Sequence, residues 1–334
     1  MNMPNPFSIR LSVLLLLLVL QFESAEAKAV IAMKGDRVEI SSWIDARFSR
    51  GSGVPFSFRL DGVPSSEFLG SWKRVCRITV PDDSSALSRT YTWSDERAGL
   101  AVICEVTGYP QSDVVEWVLR FRNLSGGNSG RISEVKVADL RMDYPASGPL
   151  SLHYAEGNKI SRADYAPRTK VFDSGEKLHF EPSGGRSSSE AFPFYNIESK
   201  ASGQGVMMAI GWTGTWFSDF RQVGQKSLCV EAGMANIDLY LKPGEEIRVP
   251  SVAFLFWSGN QMDGHNRFRR FLLEHRYRKV EGEPVRHYLS SGFNYRDPQP
   301  FGEYSCITSE WAVAMINRYR QFGLVPDVFW LDAG

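Results

Sequence analysis

The sequence predicts a mainly β protein: a large antiparallel β-sandwich domain followed by the first βαβ unit of a (β/α)8 (TIM) barrel. Three observations carry this. From Ala29 to Trp257, short alternating apolar runs are separated by Gly, Pro, Ser, Asn and Asp, the mark of many half-exposed antiparallel strands. After Gly259 the apolar period becomes helical. Finally, Val328-Phe329-Trp330-Leu331 is a continuous apolar run, which suits a strand covered on both faces in a parallel sheet.

Residues 1–27 read as a signal peptide. Arg10 precedes the apolar run Leu11 to Leu20, and Ser24-Ala25-Glu26-Ala27 offers small residues for cleavage after Ala27. The run is about half of the ~20 apolar residues that a spanning helix needs. A secreted or periplasmic chain is expected, with no membrane insertion after signal cleavage. Lys plus Arg and Asp plus Glu both number 38, so no long-range field favours nucleic acid or an anionic membrane, and neutral substrates suit the balance. The basic stretch Arg267 to Lys279 interleaves Phe268, Phe271, Leu272 and Tyr277, an amphipathic helix with a solvated cationic face.

Cys76, Cys104, Cys229 and Cys306 form an even set in an exported chain. Four cysteines allow three connectivities, and a Cys76 to Cys104 bridge is among the pairings they permit. CxxC and Cys/His spacings are missing, so neither a structural metal nor a cofactor is expected.

The sandwich domain is assigned to residues 28–258. Leu100, Val102, Cys104 and Val106 share one strand face; Val115, Trp117, Leu119 and Phe121 share another, with Glu116, Arg120 and Arg122 opposite. Ile237, Leu239 and Leu241 alternate, the turn Lys242-Pro243-Gly244-Glu245 follows, and Val252, Phe254 and Phe256 resume the pattern. Roughly 230 residues of this texture exceed the ~100 of an immunoglobulin-like sandwich. The sequence Asn123-Leu124-Ser125 is a glycosylation acceptor only in a eukaryotic secretory route.

Residues 259–284 read as a linking helix, capped by Asp263 and running to about Tyr277, with Glu281-Gly282-Glu283-Pro284 as linker. Residues 285–334 then open the barrel. Arg286 to Phe293 is a strand, followed by the loop Asp297-Pro298-Gln299-Pro300. A helix begins at its N-cap Thr308, carries Glu310 in its first turn and the apolar stripe Trp311, Ala312, Met315, Ile316, Tyr319 and Phe322, and stops at Gly323. The Val328 strand completes one βαβ unit, and the 334 residues read as a truncated barrel that would leave Trp330 uncovered.

In such a barrel the functional groups sit where strands end. Asp332 holds that position, and its ionised carboxylate can accept hydrogen bonds from two vicinal sugar hydroxyls; capping of the next turn is the alternative. Trp212 and Trp216 suit either core packing or a sugar-stacking platform, and Arg186 either an ion pair or a ligand contact. His265, His275 and His287 stand apart from any Ser, Cys or Asp arrangement and read as packed or solvated.

Several segments, in order, resemble glycoside hydrolase family 36, the melibiase and raffinose-type α-galactosidases. Gly185-Arg186-Ser187-Ser188 followed by Pro193-Phe194-Tyr195 is similar to that family's Gly-Arg-Ser/Thr-Ser and Pro-Phe-Phe stretches. Ala209-Ile210-Gly211-Trp212-Thr213-Gly214-Thr215-Trp216 resembles its Ile-Gly-Trp-Ser-Gly-x-Trp, Leu241-Lys242-Pro243-Gly244-Glu245 its Leu-x-Pro-Gly-Glu turn, and Val328-Phe329-Trp330-Leu331-Asp332 its Leu-Asp-Asp-Gly-Trp strand. The resemblance implies a retaining hydrolase for terminal α-galactosides or related α-hexosides, an oligosaccharide or glycan substrate, and self-association through the sandwich. It places both catalytic aspartates on strands beyond Gly334, so no residue here is assigned as catalytic and the chain alone is expected to be inactive. Substrate-binding positions are Asp332, Tyr295, Trp212 and Trp216.

Two departures bear on the sugar. Ala333 stands where relatives carry a second aspartate; losing such a charged hydrogen bond is worth about 1.5–3 kcal/mol, enough to change the preferred sugar. Phe293-Asn294-Tyr295 replaces an Asn or Thr, Ser, Trp strand end, leaving Tyr295 to stack on a ring. An α-N-acetylgalactosaminidase-like preference is one variant, and a noncatalytic carbohydrate-binding or adhesive β-sandwich protein is the alternative from another class.

Overall fold

The computed structural model describes residues 29–32, 39–48, 53–81, 85–173, 175–285, 288, 290–292 and 308–330. The signal peptide, His287, the segment from Phe293 through Tyr295 to Cys306, and Asp332 with Ala333 lie outside them. The chain divides into two compact units, Met1–Phe271 and Leu272–Gly334.

The first unit is a sandwich of two sheets, of nine and eight strands among the described residues. Across the larger sheet the strands run Pro167–Val171, Leu150–Glu156, Ala191–Ser199, Gln204–Gly211, Glu246–Ser258, Val114–Asn123, Leu100–Tyr109, Leu87–Asp95 and Lys73–Thr79. The smaller runs Lys177–Phe180, Trp216–Val223, Ser227–Met234, Ile132–Asp143, Ser57–Leu60 and Val63–Pro64; Ala29–Ala32 and Asp238–Leu239 also pair with Ile132–Asp143. Pairing is antiparallel throughout, except that Ala29–Ala32 runs parallel to its partner.

The alternation predicted from sequence sets which side chains face inward. Val102, Cys104 and Val106 of one strand and Trp117, Leu119 and Phe121 of the next are fully or almost fully buried, whereas Arg120 and Arg122 turn outward to Glu246. Trp117 joins the two sheets: its indole N–H donates to the Val137 carbonyl across the sandwich at 2.6 Å, and its ring stacks on Phe254 at 5.2 Å. Each such large side chain contributes about 1.5–3 kcal/mol by leaving water.

The core also holds a helix, Ile40–Phe48, in a stretch that sequence reads as strands only. Its apolar residues Ile40, Trp43, Ile44 and Phe48 are buried, following the i, i+3, i+4, i+8 spacing of one helix face. The Glu39 carboxylate accepts the backbone N–H groups of Ser41 and Ser42, satisfying two of the donors that a helix start leaves open.

The Cys76 to Cys104 bridge is not formed. Cys76 faces Tyr91 and Tyr91 faces Cys104 in register, so a whole strand separates them. Two interstrand spacings of ~4.8 Å exceed the ~7 Å Cα limit for a disulfide. Cys104 is a buried thiol, its pKa pushed up by burial and then by Glu105. The Asn123 amide is likewise occupied: it donates to the carbonyls of Gly127 and Leu241, and the residue is buried, which leaves no acceptor for a glycan on the folded chain.

The linking helix spans Gln261–His275. Its cap is Asn260 rather than Asp263: the Asn260 side chain accepts from Met262 N–H, while Asp263 reaches back to Asn260 N–H, a reciprocal capping box. Gly264 lies against the Trp257 ring, where an added Cβ would sit 2.6 Å from the indole nitrogen. Phe268 then meets Phe194 at 5.4 Å and Phe271 meets Tyr109 at 5.2 Å, so this helix covers the outer face of the larger sheet.

In the second unit the expected linker is a hairpin, Lys279–Val280 paired with Glu283–Pro284, turning through Glu281 and Gly282, both with positive φ. Beyond it, Ser290–Gly292 and Val328–Trp330 pair in parallel around the helix Ser309–Gln321. That helix starts as predicted, with Thr308 Oγ1 accepting from Trp311 N–H at 3.3 Å, and Gly323 follows its end at φ +71°. Trp330, on the last described strand, is 58% exposed, the uncovered position expected for it in these 334 residues.

Candidate functional site

The parallel pair sets the first candidate position. Gly292 lies opposite Trp330 in register, and the two strands run parallel. Tyr295 comes three residues after Gly292 and Asp332 two after Trp330. Both side chains lie outside the described residues; the strands leading to them are neighbours.

The two tryptophans part company. Trp216 opens its strand fully buried, donates its indole N–H to the Ser187 carbonyl at 2.9 Å and stands edge-on to Tyr195 at 6.4 Å. No ring face is left for a sugar, so Trp216 is a core residue and its sugar-stacking role is withdrawn. The Tyr195 phenol accepts from Ser218 Oγ, and burial pushes its pKa well up, which keeps the phenol neutral. Trp212 lies in the loop between Gly211 and Trp216, half-buried, with the Arg248 guanidinium 6.0 Å from its ring centroid, a cation–π distance. Arg186 is exposed and forms no ion pair among the described residues, so a structural ion-pair role is not observed.

Sequence reasoning missed a buried polar cluster on the outer face of the larger sheet. His153 Nε2 lies 2.9 Å from Glu198 Oε2 and Nδ1 lies 2.8 Å from Thr169 Oγ1; the His153 and Glu198 side chains are 6% and 8% exposed. With the proton on Nε2, the ring donates to the carboxylate and accepts from the threonine. The pair is 45 residues apart in sequence and meets because Leu150–Glu156 and Ala191–Ser199 are adjacent strands, Asn196 opposite His153. Only that register could have signalled it. Next to it, Trp257 N–H donates to Asn196 Oδ1, and Asn196 Nδ2 to the Gln261 carbonyl.

His265, on the covering helix, is partly buried; burial first and His153 second hold its imidazole below the ordinary 6.5. The folded chain therefore takes up this proton less readily than the unfolded chain. Above the ordinary value both are neutral; as pH falls below it, the unfolded state gains a proton that the folded state does not, and stability drops. The melting temperature is expected to fall between pH 7 and 5.5 by about a few degrees more in the parent than in His265→Gln; identical pH profiles would refute this assignment.

The fold of this chain, a large antiparallel sandwich followed by a parallel strand–helix–strand unit, is shared with solved structures. The galactosidase domain of the α-galactosidase-sucrose kinase AgaSK matches with a TM-score of 0.62 at 15% identity, over 84% of this chain and 39% of that one. The GH36 α-galactosidase AgaA from Geobacillus stearothermophilus gives 0.59 at 17% identity, also over 84% and 39%. The α-galactosidase from Lactobacillus brevis gives 0.58 at 14%, over 85% and 39%. The likeness is one of fold, and the chain spans well under half the length of these structures. No protein-family model matches the sequence, and no curated protein matches it.

Proposed function

We propose that this chain is the sandwich-bearing part of an exported retaining glycoside hydrolase that cleaves terminal α-galactosides or related α-hexosides. The observation that supports it most is the parallel pair Ser290–Gly292 and Val328–Trp330, which follows a sandwich of the same fold as α-galactosidases and leads directly to Tyr295 and Asp332. Asp332 would hold two vicinal hydroxyls of the sugar, and Tyr295 would stack on its ring. Variants of AgaA have been solved with stachyose and with raffinose; an oligosaccharide of that kind is the proposed substrate. Catalysis would use two carboxylates about 5–5.5 Å apart, one as nucleophile and one as acid/base; none of the 334 residues is assigned to either role.

The test is hydrolysis of chromogenic α-hexosides by the protein encoded by the whole reading frame. Turnover with retention of anomeric configuration is expected, and Asp332→Ala should lower kcat/KM by roughly 10- to 150-fold, the equivalent of one charged hydrogen bond. The sugar hydrolysed fastest reads out the effect of Ala333. Glycan binding with no hydrolysis of any α-hexoside would favour the noncatalytic, adhesive reading instead.

A further inference from the structure

Two loops of the sandwich are tied into one surface. Gly157 N–H donates to the Glu190 carbonyl at 3.0 Å, Asn158 N–H to the Ser188 carbonyl at 2.7 Å, and Glu190 N–H back to the Asn158 carbonyl at 3.1 Å. The Ser188 loop is pinned from beneath by Trp216, through Ser187. The Asn158 loop folds around Asp164, whose carboxylate accepts from the N–H groups of Lys159 and Ser161 and from the Asn158 amide. Loops held this way present their outward side chains in one arrangement before a ligand arrives.

What they present is aromatic and cationic. The Tyr165 ring is 49% exposed and stands edge-on to Phe192 at 5.4 Å; Phe192 meets Phe194 at 4.8 Å, and Phe194 meets Phe268 under the helix. The exposed ring thus ends an aromatic ladder rooted in the fold. Tyr165 also adopts φ +57°, a conformation that glycine or asparagine would hold with less strain. Turn formation alone therefore does not account for a tyrosine there. Arg162, on the same loop, and Arg186, on its neighbour, are exposed and form no ion pair among the described residues.

We propose that this surface is a binding site for a neutral oligosaccharide, with the Tyr165 ring stacked on the apolar C–H face of a pyranose and Arg162 and Arg186 donating to its oxygens. An aromatic face matches the C–H face of a sugar, and a planar guanidinium fork matches adjacent oxygens. Asp164 and Glu190 on the same loops carry the opposite charge, which disfavours a polyanion. The choice of sugar rests on the proposed function; the site itself rests on the loops.

Titration of the whole chain with stachyose, followed by calorimetry, is the test. Saturable binding is expected, retained in Tyr165→Phe and weakened more than about tenfold in Tyr165→Gly, a variant that suits the positive φ and keeps the loop. If Tyr165→Gly fails to fold, the Arg162→Ala/Arg186→Ala double variant reads the same surface and should bind several-fold more weakly. No saturable binding, or unchanged affinity in whichever of these variants folds, overturns the proposal. Hydrolysis by the longer protein without stachyose binding here removes this site and leaves the enzyme reading; Tyr165-dependent binding without hydrolysis does the reverse.

Discussion

Trp216→Ala will destabilise the sandwich by about 3–5 kcal/mol, the range for removing a large buried aromatic. Two losses combine. The indole leaves a cavity beside Tyr195, itself packed on Phe220, and the Ser187 carbonyl loses its donor, so a part-buried acceptor goes unpaired. Trp212→Ala, four residues away, removes a half-buried ring whose contact with Arg248 is solvent-facing, and should shift stability by less than about 2 kcal/mol. Urea unfolding with unchanged m-values checks both. Equal effects would mean that the two rings share one environment, contrary to their burial.

The contrast shows what a sequence can carry. Trp212 and Trp216 lie in the same motif, and nothing in residue type separates a ring in the core from one at its margin; the separation comes from the strand start at Trp216, which turns that side chain inward. Period-2 alternation was legible because half-buried strands need it, as Val102, Cys104 and Val106 show. So was the Ser309–Gln321 helix, whose cap at Thr308 is a local interaction. The Ile40–Phe48 helix was not, because its nine residues give only about two and a half turns of periodicity and its apolar face is completed by Trp117 and Phe256, far away in sequence. Cysteine spacing was silent on Cys76 and Cys104, since the strand that keeps them apart lies between them in the sheet. Legibility followed range: contacts closed within one element could be read, and those closed between elements could not.

The His153–Glu198 pair is the sharpest case of the second kind, and its removal should have asymmetric consequences. His153→Leu leaves the Glu198 carboxylate buried with no side-chain donor, and breaking a buried pair from one side costs about 3–5 kcal/mol. Glu198→Leu strands an imidazole N–H instead, a smaller penalty of about 1–3 kcal/mol. The double variant His153→Leu/Glu198→Leu strands neither, and apolar replacements of similar size are often neutral when both partners leave together. Its stability should therefore lie above that of His153→Leu, giving a coupling energy of the order of 1–3 kcal/mol in a double-mutant cycle. Additive losses would show that the two side chains are each solvated and that the helix Gln261–His275 does not seal this face. Coupling of the expected size would instead place a dry, hydrogen-bonded polar cluster between helix and sheet, and Thr169→Val, which removes the other ring partner, should then cost less than either single change because that threonine is exposed.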